Sequence, residues 1–168
     1  PVTMADKLKD AFYKAYSGEA KAALRLKVFA DQAEQEGYPQ IAKLFRVISR
    51  SEEIHGIRCL GKLKEIKSTE ENLQDSFESE IHVAGVGYDS FIQLANEADD
   101  EGAGLIFSQA RDVEEIHAKL YREAMNHIME ERETVYYVCN VCGYVSDSVL
   151  PDNCPICGVG KDKFSKFE

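Results

Sequence analysis

No apolar run in this chain exceeds a few residues, so no stretch reads as a helix spanning a bilayer. The opening segment PVTMADKLKD lacks the apolar h-region of a secretory signal, which makes the cytoplasm the expected location. Basic charge is in deficit: 20 Lys and Arg stand against 30 Asp and Glu, a net charge of −10. A surface of that sign repels phosphates and argues against a nucleic-acid partner. Cysteine is almost missing from the first 138 residues, where Cys59 stands alone. Histidine is scarce throughout, with four in 168 residues. What remains is a chain with 44% hydrophobic residues, long enough for one well-cored domain and a small appendage.

Helical periodicity dominates the first three quarters. Leu8, Phe12, Ala15, Ala22, Leu26, Phe29 and Ala33 recur at helix spacing from Ala5 to about Gly37. EGYPQ interrupts them, with Gly37 suited to follow a helix end and Pro39 to open the next helix. A second helix is expected from Pro39 to about Ile66. Ser68 and Glu71 then form a capping-box pair ahead of a third, over roughly 71–98. Gly85 and Gly87 weaken that third helix by about 1 kcal/mol each relative to Ala. A fourth is expected from about Gly102 to Arg132. Four helices of about 28 residues with short connections make a bundle. The texture then changes to β-branched residues, aromatics, Gly and Pro. This places a boundary near 132–134, with a helical domain over 1–132 and a small β/loop domain over 133–168.

The helical part is internally duplicated. At an offset of 62 residues Phe29 matches Phe91, Ala33 matches Ala95 and Phe45 matches Phe107. The tetrad Glu-Glu-Ile-His occurs at 52–55 and again at 114–117. Glu19 and Glu80 correspond at an offset of 61, one residue out of step.

Residues three apart share a helix face, so Glu52 points with His55 and Glu114 with His117. In a duplicated bundle both pairs can face inward. Four inward carboxylates and two imidazoles need compensating cations, because uncompensated buried charge is too costly. One Glu from each of two helices and a Glu-x-x-His from each of the other two is a dinuclear carboxylate ligand set. Here Glu19 and Glu80 are the first kind, and Glu52/His55 and Glu114/His117 the second. Mixed carboxylate and imidazole donors suit iron or manganese better than copper or calcium. Glu53 and Glu115, about 100° off that face, are expected to support the ligands from outside or to lie in solvent.

Cys139, Cys142, Cys154 and Cys157 form C-x2-C-x11-C-x2-C, two hairpins that can close tetrahedrally on one metal. Gly143 and Gly158, after each pair, let backbone N–H groups turn toward the thiolates. Spacing alone leaves iron and zinc both open here. Coupling to a redox-capable dinuclear site favours iron, which passes one electron at a time.

The motifs AYSGEA, EQEGYPQIAKLFR, EEIH twice, EGAGLIF and CNVCGY…CPICG together resemble the rubrerythrin family over essentially the whole chain. The resemblance implies a mainly α fold, a ferritin-like four-helix bundle followed by a rubredoxin-like domain. It implies two iron ions in the bundle, with manganese or zinc as substitutes. A third iron, or zinc, would sit in the four-cysteine site. The implied activity is reduction of hydrogen peroxide, with electrons from NAD(P)H through a separate reductase or a rubredoxin. A homodimer is implied as well, in some members with helices exchanged, which can bring the ribbon of one chain to the di-iron site of the other. The alternatives are a ferroxidase or iron-handling protein, which has no use for a one-electron ribbon, and a zinc-ribbon interaction module on an inert bundle. The latter leaves six inward ligands unexplained.

One departure stands out. The family pattern G-E-x-x-E on the third helix puts Glu80 on its first acid and Val83 on its second. The second Glu takes part in a redox-linked movement of one iron away from the His of the second helix. Val83 cannot ligate, so His55 is expected to stay bound in both redox states. His82 reads as facing solvent or a partner, His127 as a surface residue and Cys59 as a small core residue, while Tyr13, Tyr16 and Tyr88 read as packing in preference to bordering the site.

Overall fold

The computed structural model describes residues 2–128 and 130–168. Two long helices come first, α1 over Met4–Gln35 and α2 over Pro39–Leu63. Then follow α3 (Thr69–His82), a π-helical turn (Val83–Gly87), α4 (Tyr88–Glu97) and α5 (Glu101–Asn126). Three short strands close the chain: β1 (Tyr136–Cys139), β2 (Val145–Asp147) and β3 (Phe164–Phe167). They form one antiparallel sheet in the order β2-β1-β3. The mainly helical class with a small strand region carrying the cysteines is as the sequence implies. Among the described residues no helix is long and apolar enough to cross a membrane.

Two compact units divide between Lys67 and Ser68. The first holds α1 and α2; the second holds α3 to α5 together with the strands. The change of texture near 132–134 lies inside the second unit, between the end of α5 and the start of β1.

Local chemistry sets the helix ends. Thr3 and Asp6 form a capping box that starts α1, and Ser68 and Glu71 form the expected one at α3. Pro39 sits in the first turn of α2. The fourth expected helix stops at Asn126, six residues short of Arg132. His127 follows with φ −117°, and Met129, within the expected span, lies outside the described residues.

The duplication reaches the packing. In the first unit α1 meets α2 along Ala23, Ala30, Ala33, Ala42, Ser49 and Gly56, small residues that let the backbones approach. A Cβ on Gly56 would stand 3.7 Å from the Cβ of Glu19. In the second unit Ala84, Ala95 and Ala118 are buried at the positions matching Ala23, Ala33 and Gly56. The Phe29–Phe45 pair, 5.9 Å between ring centres, has its counterpart in Phe91–Phe107 at 5.5 Å. The turns match too. The N–H of Tyr38 donates to the carbonyl of Ala33 at 2.8 Å, and that of Asp100 to Ala95 at 3.0 Å.

The one-residue slip in the repeat has a structural cause. Ala84 follows Ala23 by 61 positions and Phe91 follows Phe29 by 62, so the extra residue enters between Ala84 and Phe91. The π turn spans that place, with the Tyr88 N–H bonded to the carbonyl of Val83, five residues back instead of four. A π turn takes up one additional residue and returns the helix to phase. Glu80 and Phe91 thereby keep the faces that Glu19 and Phe29 hold, and the third expected helix runs on as α3, the turn and α4.

Both helical units leave large apolar side chains exposed. Leu24, Val28 and Val47 are 67%, 59% and 59% exposed in the first, and Val86, Leu94 and Ile106 are 63%, 63% and 67% exposed in the second.

Candidate metal centres

Among the described residues, three clusters have the composition and spacing to hold a metal ion. The first unit contributes Glu19 from α1 with Glu52 and His55 from α2. The second contributes Glu80 from α3 with Glu114 and His117 from α5. The ribbon contributes Cys139, Cys142, Cys154 and Cys157. All ten residues singled out in the sequence fall into these clusters. In each cluster the ligand atoms lie within 4.8 Å of one another.

The two Glu/His triads use the same atoms. His55 turns Nδ1 to Glu52 at 3.2 Å and to Glu19 at 3.6 Å. His117 turns Nδ1 to Glu80 and to Glu114, at 3.5 Å each. Donors about 2.1 Å from one ion and on adjacent corners of its coordination shell lie about 3.0–3.4 Å apart. The triads therefore fit a cation with little adjustment, and their oxygen and imidazole donors suit iron, manganese or zinc. The Glu19 carboxyl is pushed above its ordinary value, chiefly by sharing a hydrogen bond with Glu52, whose own value is lowered by that bond and by His55. Two carboxyls this close cannot both hold full charge unaided.

The neighbouring acids lie off the sites. Glu53 is paired with Lys27 and, at 3.0 Å, with Arg50, which together hold its carboxyl below the usual range; Glu115 is exposed. His82 is exposed, and His127 is exposed with Glu130 at 3.0 Å. Cys59 is a half-buried free thiol. Tyr88 packs on Phe91 and Phe107, while Tyr13 donates to Glu65. Tyr16 lies against Gly56, its ring 3.8 Å from where a Cβ would be. Val83 is half-buried and opens the π turn.

The ribbon is built from two matching knuckles. Gly143 N–H donates to the Cys139 carbonyl and Gly158 N–H to that of Cys154, both at 2.9 Å. Both glycines have positive φ, +80° and +78°, where a side chain would be strained. Cys139 Sγ lies 3.7 Å from Cys157 Sγ, and Cys142 Sγ 3.6 Å from Cys154 Sγ. Four sulfurs about 2.3 Å from a central ion stand about 3.8 Å apart, so the set fits a tetrahedral metal. Backbone N–H groups aim at the sulfurs as expected: Val141 and Cys142 at Cys139, Tyr144 at Cys142, and Val159 at Cys157. Burial pushes the Cys142 and Cys157 thiols up. Burial opposes ionisation of Cys139 most strongly of any one cause, but the N–H groups of Cys142 and Val141 and the thiols of Cys157 and Cys142 together hold that thiol low.

One contact had no signal in the sequence. The far nitrogen of His117, Nε2, lies 3.4 Å from the carbonyl oxygen of Gly143, in the knuckle that carries Cys142. Val113, one turn earlier on α5 and 3% exposed, lies under the same glycine.

Paired helices bearing Glu/His triads, with a four-cysteine ribbon after them, define a non-haem metalloprotein with two kinds of site. The family model described as Rubrerythrin matches residues 10–125, and that described as Rubrerythrin, rubredoxin-like domain matches 137–165. The chain is 33% identical to rubrerythrin-2 of Clostridium acetobutylicum, over 94% of this chain and 95% of that one. It is 29% identical to nigerythrin of Nitratidesulfovibrio vulgaris, over 91% and 83%. The solved structure of fully reduced, all-ferrous nigerythrin matches with a TM-score of 0.59 at 28% identity, covering 95% of this chain and 86% of that chain. The chain belongs to the rubrerythrin family. Its four-cysteine set and both Glu/His sets are the iron ligand sets of that family.

Proposed function

We propose that the protein is a peroxidase that reduces hydrogen peroxide to water, H2O2 + 2 H+ + 2 e− giving 2 H2O. The observation that carries this reading is a thiolate ribbon in the same compact unit as Glu80, Glu114 and His117. Iron, when bound, supplies the electrons and the Lewis acidity for breaking the peroxide bond. Glu19, Glu52, His55, Glu80, Glu114 and His117 hold the ions, and the four carboxylates balance their charge. Residues 1–132 serve as the peroxide-reducing domain and 133–168 as the one-electron entry. The donor is a rubredoxin or an NAD(P)H-dependent reductase, and the setting is the cytoplasm. A ferroxidase has no need of the ribbon.

The exposed apolar faces of both helical units support a homodimer in which those faces are covered, including one with helices exchanged. Val83 stands where the family pattern has its second acid and offers no carboxylate, so His55 is expected to stay a donor in both redox states. Val83→Glu is expected to lower the reduction potential of the dinuclear site.

The test is Cys142→Ser in the iron-loaded protein. NAD(P)H-linked peroxide reduction should fall to background, while chemically reduced protein still consumes peroxide in a single turnover. Steady-state turnover that survives the substitution removes the relay from the reading. A wild-type protein that is colourless with iron, without a dithionite-bleached ferric-thiolate band, removes the iron ribbon altogether.

A further inference from the structure

We propose that the Gly143 carbonyl is the outer hydrogen-bond partner of His117, and that it sets which imidazole nitrogen faces the metal. The inference rests on the triad of Glu80, Glu114 and His117 being a metal site. His117 presents Nδ1 to both carboxylates at 3.5 Å and Nε2 to the Gly143 oxygen at 3.4 Å. A neutral imidazole carries one proton, and a carbonyl can only accept. The proton therefore sits on Nε2, and Nδ1 keeps its lone pair for the cation. Metal-bound histidines generally donate their other N–H in this way, which fixes the ring and raises its basicity. At 3.4 Å the bond is long, and a shift of a few tenths of an ångström makes it ordinary.

The partner comes from the other metal site of the same unit. Gly143 follows Cys142 directly, and its φ of +80° is set by the knuckle that turns N–H groups onto the thiolates. Val113 beneath it, nearly fully buried, fixes the knuckle against α5. A carbonyl whose direction depends on the ribbon fold thus orients a ligand of the helical site. Binding at one site must then strengthen binding at the other, because such coupling is reciprocal. The triad in the first unit lacks this device. His55 meets Glu19 and Glu52, its side chain is 51% exposed against 28% for His117, and among the described residues no backbone carbonyl bonds its ring.

The test is nitrogen NMR on the full chain loaded with zinc as a diamagnetic probe, with histidine nitrogen and glycine carbonyl carbon labelled. Metal analysis first establishes occupancy of the helical sites; if zinc does not bind there, the metal-site reading itself fails. With zinc bound, His117 is expected to carry a slowly exchanging Nε2 proton with a cross-hydrogen-bond coupling to a glycine carbonyl, and His55 to show no such coupling. A proton on His117 Nδ1, or an Nε2 proton without coupling, overturns the inference while leaving the metal site standing. As a second measurement, replacing Cys142 and Cys154 together by Ser should weaken zinc binding at the helical site by about tenfold or more, the usual effect of losing an outer partner. Unchanged affinity refutes the coupling.

Discussion

The triad Glu19/Glu52/His55 and the triad Glu80/Glu114/His117 agree in residue type, helix spacing and the nitrogen turned to the carboxylates, yet their surroundings differ. The first lies on two uninterrupted helices whose seam is tightened by Ser49, which donates to the Ala23 carbonyl at 2.7 Å, and by Gly56. The second lies beside a π turn and against the ribbon. Duplication thus preserved what the metal requires and released what it does not. The first half specialises in close helix packing, the second in contact with the four-cysteine ribbon.

The sharpest way to break this comparison is to remove one triad at a time. Glu52→Ala with His55→Ala should lose helical-site metal and leave the ribbon chromophore unshifted. Glu114→Ala with His117→Ala should lose metal at its own triad and also shift the ribbon absorption, because the Gly143 carbonyl loses its donor. Metal analysis with visible spectroscopy checks both. Identical ribbon spectra in the two variants would make the halves equivalent.

Acidity separates the ribbon from the helices next. Asp147 accepts from Ser148 at 2.6 Å, from Thr134, and from Arg132 at 2.7 Å, and these bonds hold its carboxyl below the usual range. A group depressed in the folded state stabilises above its unfolded value, about 3.9, and ceases to do so as pH falls through the lowered one. Asp147→Asn should cost about 1–2 kcal/mol at pH 7. The gap between variant and wild type should close at acid pH, as read from chemical denaturation. A pH-independent gap would assign the effect to shape.

Ser49→Ala tests the packing half. Ser49 is 1% exposed, and loss of its hydroxyl should cost about 1 kcal/mol, with no change in ribbon spectrum. A cost near zero would mean that the seam rests on small size alone.

The smallest effect concerns the paired turns. Gly37 and Asp99 occupy matching positions with φ of +84° and +52°, so the first half uses the residue suited to that conformation and the second does not. Asp99→Gly should therefore stabilise the second unit by under about 1 kcal/mol, measured as a raised thermal midpoint. Destabilisation would show that the Asp99 side chain contributes to the turn.

How much of this could be read from residues alone follows from where the information sits. Helix starts were legible at Pro39 and Ser68/Glu71 because single side chains determine them. The ten residues that the structure gathers into candidate metal clusters were legible because ligation restricts residue type and spacing together, and the helical pattern and the cysteine pair each occur twice within the chain. The π turn registered only as a mismatch of offsets between Glu80 and Phe91, since an inserted residue leaves no side-chain signature. The end of α5 at Asn126 was overrun, as Glu130, Glu131 and Arg132 are acceptable helix residues. The division at Lys67 and the Gly143 contact were invisible. One depends on contacts between helices far apart in sequence, and the other on a backbone carbonyl that every residue possesses.

The most direct test of the account begins with iron-loaded protein reduced by dithionite, freed of excess reductant and mixed with hydrogen peroxide without oxygen. The ribbon colour should return rapidly in the wild type. In a variant with Glu52, His55, Glu114 and His117 all replaced by Ala it should return far more slowly, as expected if oxidation of the ribbon runs through the proposed helical metal sites. Equal rates in the two proteins would mean that peroxide reacts at the ribbon itself, and would contradict the assignment of the Glu/His triads as the place where peroxide is reduced.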